Sequence, residues 1–308
     1  MKTLAIVVPC YNEEETIHPF LEACQAVEKQ IANQLAFNYY FVNDGSKDKT
    51  LEVLRQVSKQ FDNVHYLSFS RNFGKEAGLL AGLEAAQGDY VTVMDADLQD
   101  PPELLIEMYA KIQEGYDVVG TRRADRKGEP PIRSIFAKTF YWLINKVSDT
   151  EMVDGARDFR LMTRQVVDAI LELKEVNRFS KGLFSWVGFD VAYVSYENRE
   201  RVAGETSWSF WKLLNYSLDG FINFSEVPLK LATWAGTFSF LISLVGIVFV
   251  IIRKLTIGGS VAGWASLVSI ILFIGGIQLL ALGIIGHYIS KIFLETKKRP
   301  VYIIKEKG

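Results

Sequence analysis

Cysteine and histidine are scarce in this sequence: 308 residues carry only Cys10, Cys24 and three histidines. Two thiols so spaced form neither a zinc-ligand pattern nor a disulfide framework, and they suit a reducing compartment. Net charge is also small, at -2 from 34 basic and 36 acidic residues, so no global positive excess argues for a nucleic-acid partner. Two nucleotide signatures are missing. No Gly-x-Gly-x-x-Gly follows the first apolar run and no P-loop lysine motif occurs, which speaks against dinucleotide redox chemistry and against P-loop phosphoryl transfer. Nor does a small-residue cleavage site follow Leu4–Val8. Asn12, Glu13, Glu14 and Glu15 stand there instead, so that run reads as a buried strand and not as a secretory leader.

The sharpest absence is local. Leu231–Ile252 is 22 residues without a charge, and Leu255–Ser290 is 36 more, the two being separated only by Arg253 and Lys254. About 20 apolar residues suffice to cross a bilayer core. The pattern predicts two crossings, near 231–253 and 265–289, that turn around Gly258, Gly259 and Gly263, with Trp234 and Trp264 at the interfaces. A helical pair inside a soluble core is the blander alternative. Lys230 on one flank and Lys291, Lys297, Lys298 and Arg299 on the other outnumber Arg253 and Lys254 in the turn. The positive-inside rule therefore places the large domain and both termini in the cytoplasm, as a multi-pass protein of the cell's inner membrane. His287 near the inner end reads as a polar accommodation at the headgroup boundary. The expected organisation is a cytosolic domain over 1–204, an amphipathic juxtamembrane segment over 205–228, a transmembrane hairpin over 229–290 and a cytosolic tail over 291–308.

Two stretches repeat apolar residues at helical spacing. One runs Phe210, Leu213, Leu214, Ser217, Leu218, Phe221 and Phe224; the other, within 132–147, runs Ile135, Phe136, Phe140, Leu143, Ile144 and Val147. Either can lie in the membrane interface or pack beneath the soluble domain.

The first 120 residues alternate apolar runs with helix-compatible stretches. Strands are predicted at Leu4–Val8, Tyr39–Val42, His65–Phe69, Tyr90–Met94 and Val118–Gly120. Helices are predicted at Glu13–Leu35, Asp48–Gln60, Lys75–Ala86 and Pro101–Gln113. The fold class is therefore α/β, a mostly parallel sheet covered on both faces. Ligands of such sheets bind beyond the carboxyl ends of the strands, and polar clusters stand there. Pro9, Tyr11, Asn12 and Glu13 follow strand one; Asn43, Asp44, Gly45 and Ser46 follow strand two; Asp95, Ala96, Asp97, Leu98 and Gln99 follow strand four.

Asp95-Ala96-Asp97 is the strongest chemical signal among them. Alternate residues at a strand end point the same way, so two carboxylates can face one cation. Magnesium or manganese would share its oxygen ligands between them and phosphate, offsetting charge on a departing nucleoside diphosphate. An Asp-x-Asp alone is common, and loop capping is its ordinary use; here four apolar residues precede it and Pro101-Pro102-Glu103 opens a helix just beyond.

On these residues the chain resembles the inverting glycosyltransferases of family 2 with the GT-A fold. The resemblance rests on Val8-Pro9-Cys10-Tyr11-Asn12-Glu13-Glu14, Val42-Asn43-Asp44-Gly45-Ser46 and Asp95-Ala96-Asp97-Leu98-Gln99-Asp100-Pro101-Pro102-Glu103. Within the family it is similar to the polyprenyl-phosphate sugar transferases, which include dolichyl-phosphate mannose synthases and bacterial bactoprenol glucosyltransferases. Arg71-Asn72-Phe73-Gly74-Lys75, Asp158-Phe159-Arg160-Leu161-Met162, Arg201 with Gly204-Glu205-Thr206-Ser207, and Lys298-Arg299-Pro300-Val301-Tyr302 carry that narrower likeness.

The resemblance implies that Pro9, Tyr11, Glu13, Asp44, Lys75 and Asp95 hold a nucleotide-sugar donor, with Asp44 addressing the base. It also implies that Asp97 and Gln99, with Asp95 beside them, bind Mg2+ or Mn2+. Bland readings stand next to these: an Asx turn for Asp44 and a helix N-terminal charge for Glu13. The implied acceptor is a polyisoprenyl phosphate, whose phosphate would meet Arg122, Arg133, Ser134 and Arg201, since guanidinium groups make paired phosphate contacts. Arg123, Arg126 and Lys138 are further basic residues near that edge. Asp158 matches the carboxylate suspected as the base, and orienting the acceptor or binding sugar hydroxyls are equal alternatives.

The reaction expected from this resemblance is transfer of glucose from UDP-glucose to undecaprenyl phosphate at the cytosolic membrane face, with other UDP-sugars or GDP-mannose as alternative donors. A homo-oligomer, a tetramer by resemblance, is also implied. A processive polysaccharide synthase is disfavoured because no Gln-x-x-Arg-Trp motif occurs. A non-catalytic accessory is disfavoured by the intact Asp95, Asp97, Gln99 and Asp158.

Overall fold

A computed structural model describes residues 1–123, 142–146, 153, 155–196, 225–256 and 263–308. The chain divides into two compact units, Met1–Gly220 with Arg299–Gly308, and Phe221–Lys298.

The first unit is built on strands β1 (Lys2–Cys10), β2 (Leu35–Asn43), β3 (Val64–Phe69), β4 (Tyr90–Val93), β5 (Val118–Arg123), β6 (Ala156–Thr163), β7 (Val191–Tyr196) and β8 (Ile304–Lys307). They form one sheet in the order β7-β5-β6-β4-β1-β2-β3-β8. Neighbours are parallel except that β6 runs antiparallel to both β4 and β5, and β8 antiparallel to β3. Helices α1 (Ile17–Ile31), α2 (Thr50–Gln60), α3 (Lys75–Ala85), α4 (Leu104–Gln113), α5 (Arg164–Glu172) and α6 (Ser180–Trp186) connect and cover it.

β1 shows why the sheet is central. Leu4, Ala5, Ile6, Val7 and Val8 are all fully buried, as a strand covered on both faces requires. Alternate side chains go to opposite faces. Leu4, Ile6 and Val8 join Phe20 and Cys24 of α1, Leu54 of α2 and Met108 of α4. Ala5 and Val7 join Leu79 and Leu83 of α3 and Val166 and Ile170 of α5. Each fully buried aliphatic side chain of this kind contributes about 1.5–3 kcal/mol, so the pattern along β1 fixes which helices lie on which face. α3 comes unusually close, because a Cβ at Gly82 would stand 2.2 Å from Val7 Cγ1. Any larger residue there would push away the helix that begins with Lys75.

Three features of the fold differ from the sequence expectation or go beyond it. The predicted helix Glu13–Leu35 is shorter at both ends: Asn12 takes a left-handed φ of 56° and residues 13–16 form a turn, while Leu35 is already the first residue of β2. The motif Asp158–Met162 lies within a strand, β6, that pairs with two others. Residues 304–307, expected as part of a tail, are the edge strand β8.

The second unit contains α7 (Val227–Thr256) and α8 (Trp264–Thr296), which pack on each other. Val227–Arg253 and Ser269–Thr296 are 27 and 28 residues long with mean hydropathies of 2.5 and 2.3. At 1.5 Å per residue each is long and apolar enough to cross a membrane. Their apolar side chains, Phe238, Leu241, Val245 and Phe249 on α7 and Ile271, Phe273 and Leu280 on α8 among them, are exposed. Gly263 caps the start of α8; Gly258 and Gly259 lie outside the described residues, as do most of segment 205–228 and all of 132–147 except 142–146.

Candidate active site

The topology brings one set of strand ends together. β1, β2, β4 and β5 point the same way, so Cys10, Asn43, Val93 and Arg123 end at one edge of the sheet. Because β6 is antiparallel, its beginning, not its end, lies at that edge, and Arg157 and Asp158 enter beside the residues that follow β4.

At this edge Lys75, Asp95 and Asp158 meet. Lys75 Nζ lies 2.8 Å from Asp95 Oδ1 and 2.7 Å from Asp158 Oδ2. The lysine is the first residue of α3, reached through Gly74 at a φ of +98°. Burial opposes the charge on Lys75, yet the Asp158 and Asp95 carboxylates outweigh it and hold the ammonium above its ordinary range. Burial likewise opposes ionisation of Asp158, but Lys75, then Lys181 and Arg160, draw its carboxyl well below the usual carboxylate range. Asp158 is therefore an anion at neutral pH and a weak proton acceptor.

Asp97 follows one residue after Ala96 and is buried, at 7% exposure. Its Oδ1 accepts from the Gln99 amide at 3.2 Å, across Leu98, whose φ of 55° bends the chain sharply between them. The Gln99 side-chain oxygen accepts from Arg157 Nη2 at 3.4 Å, and Arg157 Nε donates to the buried Asp100 at 3.1 Å. The Tyr196 hydroxyl also donates to Asp100. β6 and β7 thus brace the Asp97–Asp100 loop.

The other two loops are joined to each other. The Asn12 amide donates to Ser46 Oγ at 2.9 Å, Asn12 Oδ1 accepts from the Lys47 amide at 2.9 Å, and the Glu13 amide donates to Thr50 Oγ1 at 2.9 Å. The Glu13 carboxylate accepts from Thr16 Oγ1 at 2.8 Å. Asp44 is buried; its two oxygens accept from the Phe73 and Gly74 amides at 2.6 and 2.9 Å. Burial raises its pKa in spite of those two bonds. Each oxygen keeps further acceptor capacity. Gly45, at φ +63°, is required by close approach: a Cβ there would stand 2.4 Å from the Arg71 carbonyl carbon.

Of the remaining expected residues, Pro9 belongs to β1 and touches the space around Gly78, and Tyr11 stands 40% exposed beyond it. Arg122 is exposed near the end of β5, where its Nε donates to Ser195 Oγ at 2.9 Å. Arg133, Ser134 and Arg201, with Arg126 and Lys138, lie outside the described residues. Pattern reading missed Arg157, Tyr196 and the pair Glu76–Ser180, in which the Glu76 carboxylate accepts from the Ser180 amide at 3.0 Å and from its hydroxyl, tying α6 to α3. Only Arg157 had a usable signal, as the basic neighbour of Asp158. Arg160, two residues beyond Asp158 in the same motif, places its guanidinium 3.8 Å over the Phe184 ring.

The sequence model of glycosyl transferase family 2 matches residues 5–171. CsbB of Bacillus subtilis (strain 168) is 47% identical over 303 residues, covering 98% of this chain and 91% of that one. The SfII prophage-derived bactoprenol glucosyl transferase of Shigella flexneri is 42% identical over 303 residues, covering 98% of this chain and 97% of that one. Among solved structures, mannosyl-3-phosphoglycerate synthase from Rubrobacter xylanophilus is 18% identical, with a TM-score of 0.49 over 71% of each chain.

Proposed function

The chain belongs to glycosyl transferase family 2, and we propose that it transfers glucose from UDP-glucose to undecaprenyl phosphate, releasing UDP at the cytosolic face of the inner membrane. The observation that carries the reading is the meeting of Asp95, Lys75 and Asp158 at the strand edge that also bears Asp97 and Gln99, in a chain with two helices fit to cross a membrane. The Shigella flexneri relative, similar over nearly the whole of both chains, supports both the sugar and the lipid acceptor by its name.

Donor binding falls to the loops after β1, β2 and β4. Asp44 presents its remaining acceptor capacity to the base, and Pro9, Tyr11 and Glu13 line the nucleotide beside it. The donor set of Asp95, Asp97 and Gln99 is all oxygen, as hard divalent cations require. Among the described residues no group of three or more His, Cys, Asp or Glu side chains could hold a metal by itself. Mg2+ or Mn2+ held there would supply charge neutralisation at the leaving diphosphate.

The reaction is a single displacement. A phosphate oxygen of the acceptor forms a bond to the anomeric carbon as the bond from that carbon to the UDP β-phosphate oxygen breaks, and the electron pair leaves with UDP. A phosphate monoester has its second pKa near 6, so the acceptor is already largely a dianion at neutral pH. The work left to the protein is positioning and charge stabilisation. That agrees with Asp158, which is held as an anion by Lys75 and is poorly suited to take a proton. Asp158 orients Lys75 and the reacting groups. Arg122, Arg133, Ser134 and Arg201 receive the acceptor phosphate, and the protein works as a homo-oligomer, a tetramer in this reading.

The test is the full-length protein in vesicles containing undecaprenyl phosphate, offered a panel of nucleotide sugars with Mg2+ or Mn2+, with mass analysis of the lipids. Undecaprenyl-phosphate-glucose and UDP are the expected products. Lipid glycosylated only from a different donor overturns the glucose assignment, and transfer only to water-soluble acceptors overturns the lipid one.

A further inference from the structure

The geometry of the donor loops depends on the Arg71–Gly74 turn, which acts at two points. Its Phe73 and Gly74 amides orient the Asp44 carboxylate, and Gly74 delivers the chain into α3 so that Lys75 reaches Asp95 and Asp158.

The turn is held by a column of flat groups. The Arg71 guanidinium lies 4.2 Å over the Phe73 ring. Phe73 meets Phe69 edge-on, with centroids 5.8 Å apart and planes at 90°. On Phe69, which is buried, the Tyr302 ring stacks at 5.0 Å and 16°. Tyr302 comes from the closing segment, after α8. Its hydroxyl donates to Glu84 on α3, and the carbonyl of its neighbour Ile303 accepts from the Ser70 amide at 3.0 Å. Val301 and Tyr302 also pack on the small cluster of Val42, Phe69, Ala77 and Ala81, which joins β2, β3 and α3.

The segment that presents Tyr302 is itself anchored. β8 pairs with β3, Arg55 forks onto Glu306 at 2.7 and 2.5 Å, and the Tyr66 hydroxyl donates to Glu306 at 2.6 Å. A ring held at its hydroxyl and through the backbone of the next residue is a fixed support and not a surface ornament.

We propose that Tyr302 is a positioning residue for the nucleotide-sugar donor, acting through Phe69 and Phe73 on the turn that orients Asp44 and Lys75. The closing segment is then part of the donor site, although it follows α8 in the chain. Its effect belongs to donor binding and leaves the acceptor's own contacts untouched. This rests on Asp44 and Lys75 serving the donor, as proposed for this family member.

The experiment uses the full chain in lipid nanodiscs, with UDP as the calorimetric probe and initial rates at varied UDP-glucose and undecaprenyl phosphate. Tyr302→Ala is expected to raise the UDP Kd and the donor KM roughly three- to tenfold, the effect of losing one aromatic pair, with the acceptor KM unchanged. Tyr302→Phe keeps the ring and recovers most of that loss. Tyr302→Leu keeps apolar bulk without a stacking face, shows the same rise, and replaces the alanine variant if the latter does not fold.

An unchanged donor Kd in a folded Ala or Leu variant overturns the proposal. So does a fall in kcat and melting temperature with donor KM constant, which is what a purely structural role gives, and so does a Phe variant as weak as Ala. Failure of the unaltered chain to bind UDP at all would overturn the donor reading itself and this proposal with it.

Discussion

Replacing Asp158 by Asn separates a positioning carboxylate from a proton acceptor. Asp158 accepts from Lys75 at 2.7 Å, with side-chain exposures of 20% and 34% for the two partners. The pair is thus neither fully exposed nor fully buried. Exposed pairs contribute up to about 1 kcal/mol and breaking buried ones costs about 3–5; discounted for solvent screening at Lys75, the loss is about 1–3 kcal/mol. If it is felt in the transition state, turnover falls roughly 5- to 150-fold.

The assay is the ratio of unaltered to Asp158→Asn turnover across pH 5.5–8.5, at saturating donor and acceptor. The sign is set by the direction of the shift. A carboxyl whose folded pKa lies below its ordinary 3.8 is ionised throughout that range, so it adds no titration of its own. Both proteins then share one acidic limb, that of the acceptor phosphate near pH 6, and the ratio is flat. If Asp158 instead had to deprotonate the acceptor, only the variant would depend on the dianion. The ratio would then rise about fourfold between pH 8.5 and pH 5.5, following the loss of the dianion, and that rise would refute the reasoning.

Asp97→Ala is expected to lower turnover by roughly 100-fold or more while the protein stays folded, checked by rates at stepped Mg2+ or Mn2+; undiminished transfer in chelator would remove the metal assignment. Gly45→Ala places a Cβ 2.4 Å from the Arg71 carbonyl carbon at a left-handed φ, and is expected to destabilise by about 1–3 kcal/mol. A melting temperature equal to that of the unaltered chain would contradict the close approach. Glu306 is held down to about 2, chiefly by Arg55, from an ordinary 4.5. Its contribution to the β8 edge is therefore complete above pH 4.5 and lost as pH falls toward 2. Protection of the Tyr66 amide from hydrogen exchange, relative to its intrinsic rate at each pH, should fall over that window, since this amide donates to Gly308, and Glu306→Gln should abolish that fall.

How far the fold was legible in the sequence depended on how local each signal is. β1 to β5 and α2 to α4 were readable because each carries its own apolar run or period, and the three loops after β1, β2 and β4 could be placed at one edge from the parallel order alone. α1 was overdrawn because residues 13–16 are polar enough for a helix, while only the backbone shows Asn12 turning left-handed. Arg157 and Asp100 stand far apart in sequence, and nothing pairs them until β6 is known to lie beside β4. β8 was hidden for the same reason, since Ile-Lys-Glu-Lys has no strand pattern of its own and gains its place only from β3, Arg55 and Tyr66.

The antiparallel insertion of β6 connects these misses to the chemistry. A parallel strand between β4 and β5 would bring its carboxyl end, Thr163, to the edge where the loops converge, and Asp158 would sit partway down the sheet. Running the other way, β6 places Val93 opposite Arg160 and so carries Asp158 two residues further, past the end of β4, to where Lys75 can reach it and Asp95 together. The two carboxylates come from parts of the sequence with no shared motif. Their common lysine is what makes them one site, and its place depends on Gly74 and on the close packing of α3 over Val7 at Gly82. The Asp-x-Asp signal was readable from local pattern. Its electrostatic partner depended on strand direction, which no local pattern encodes.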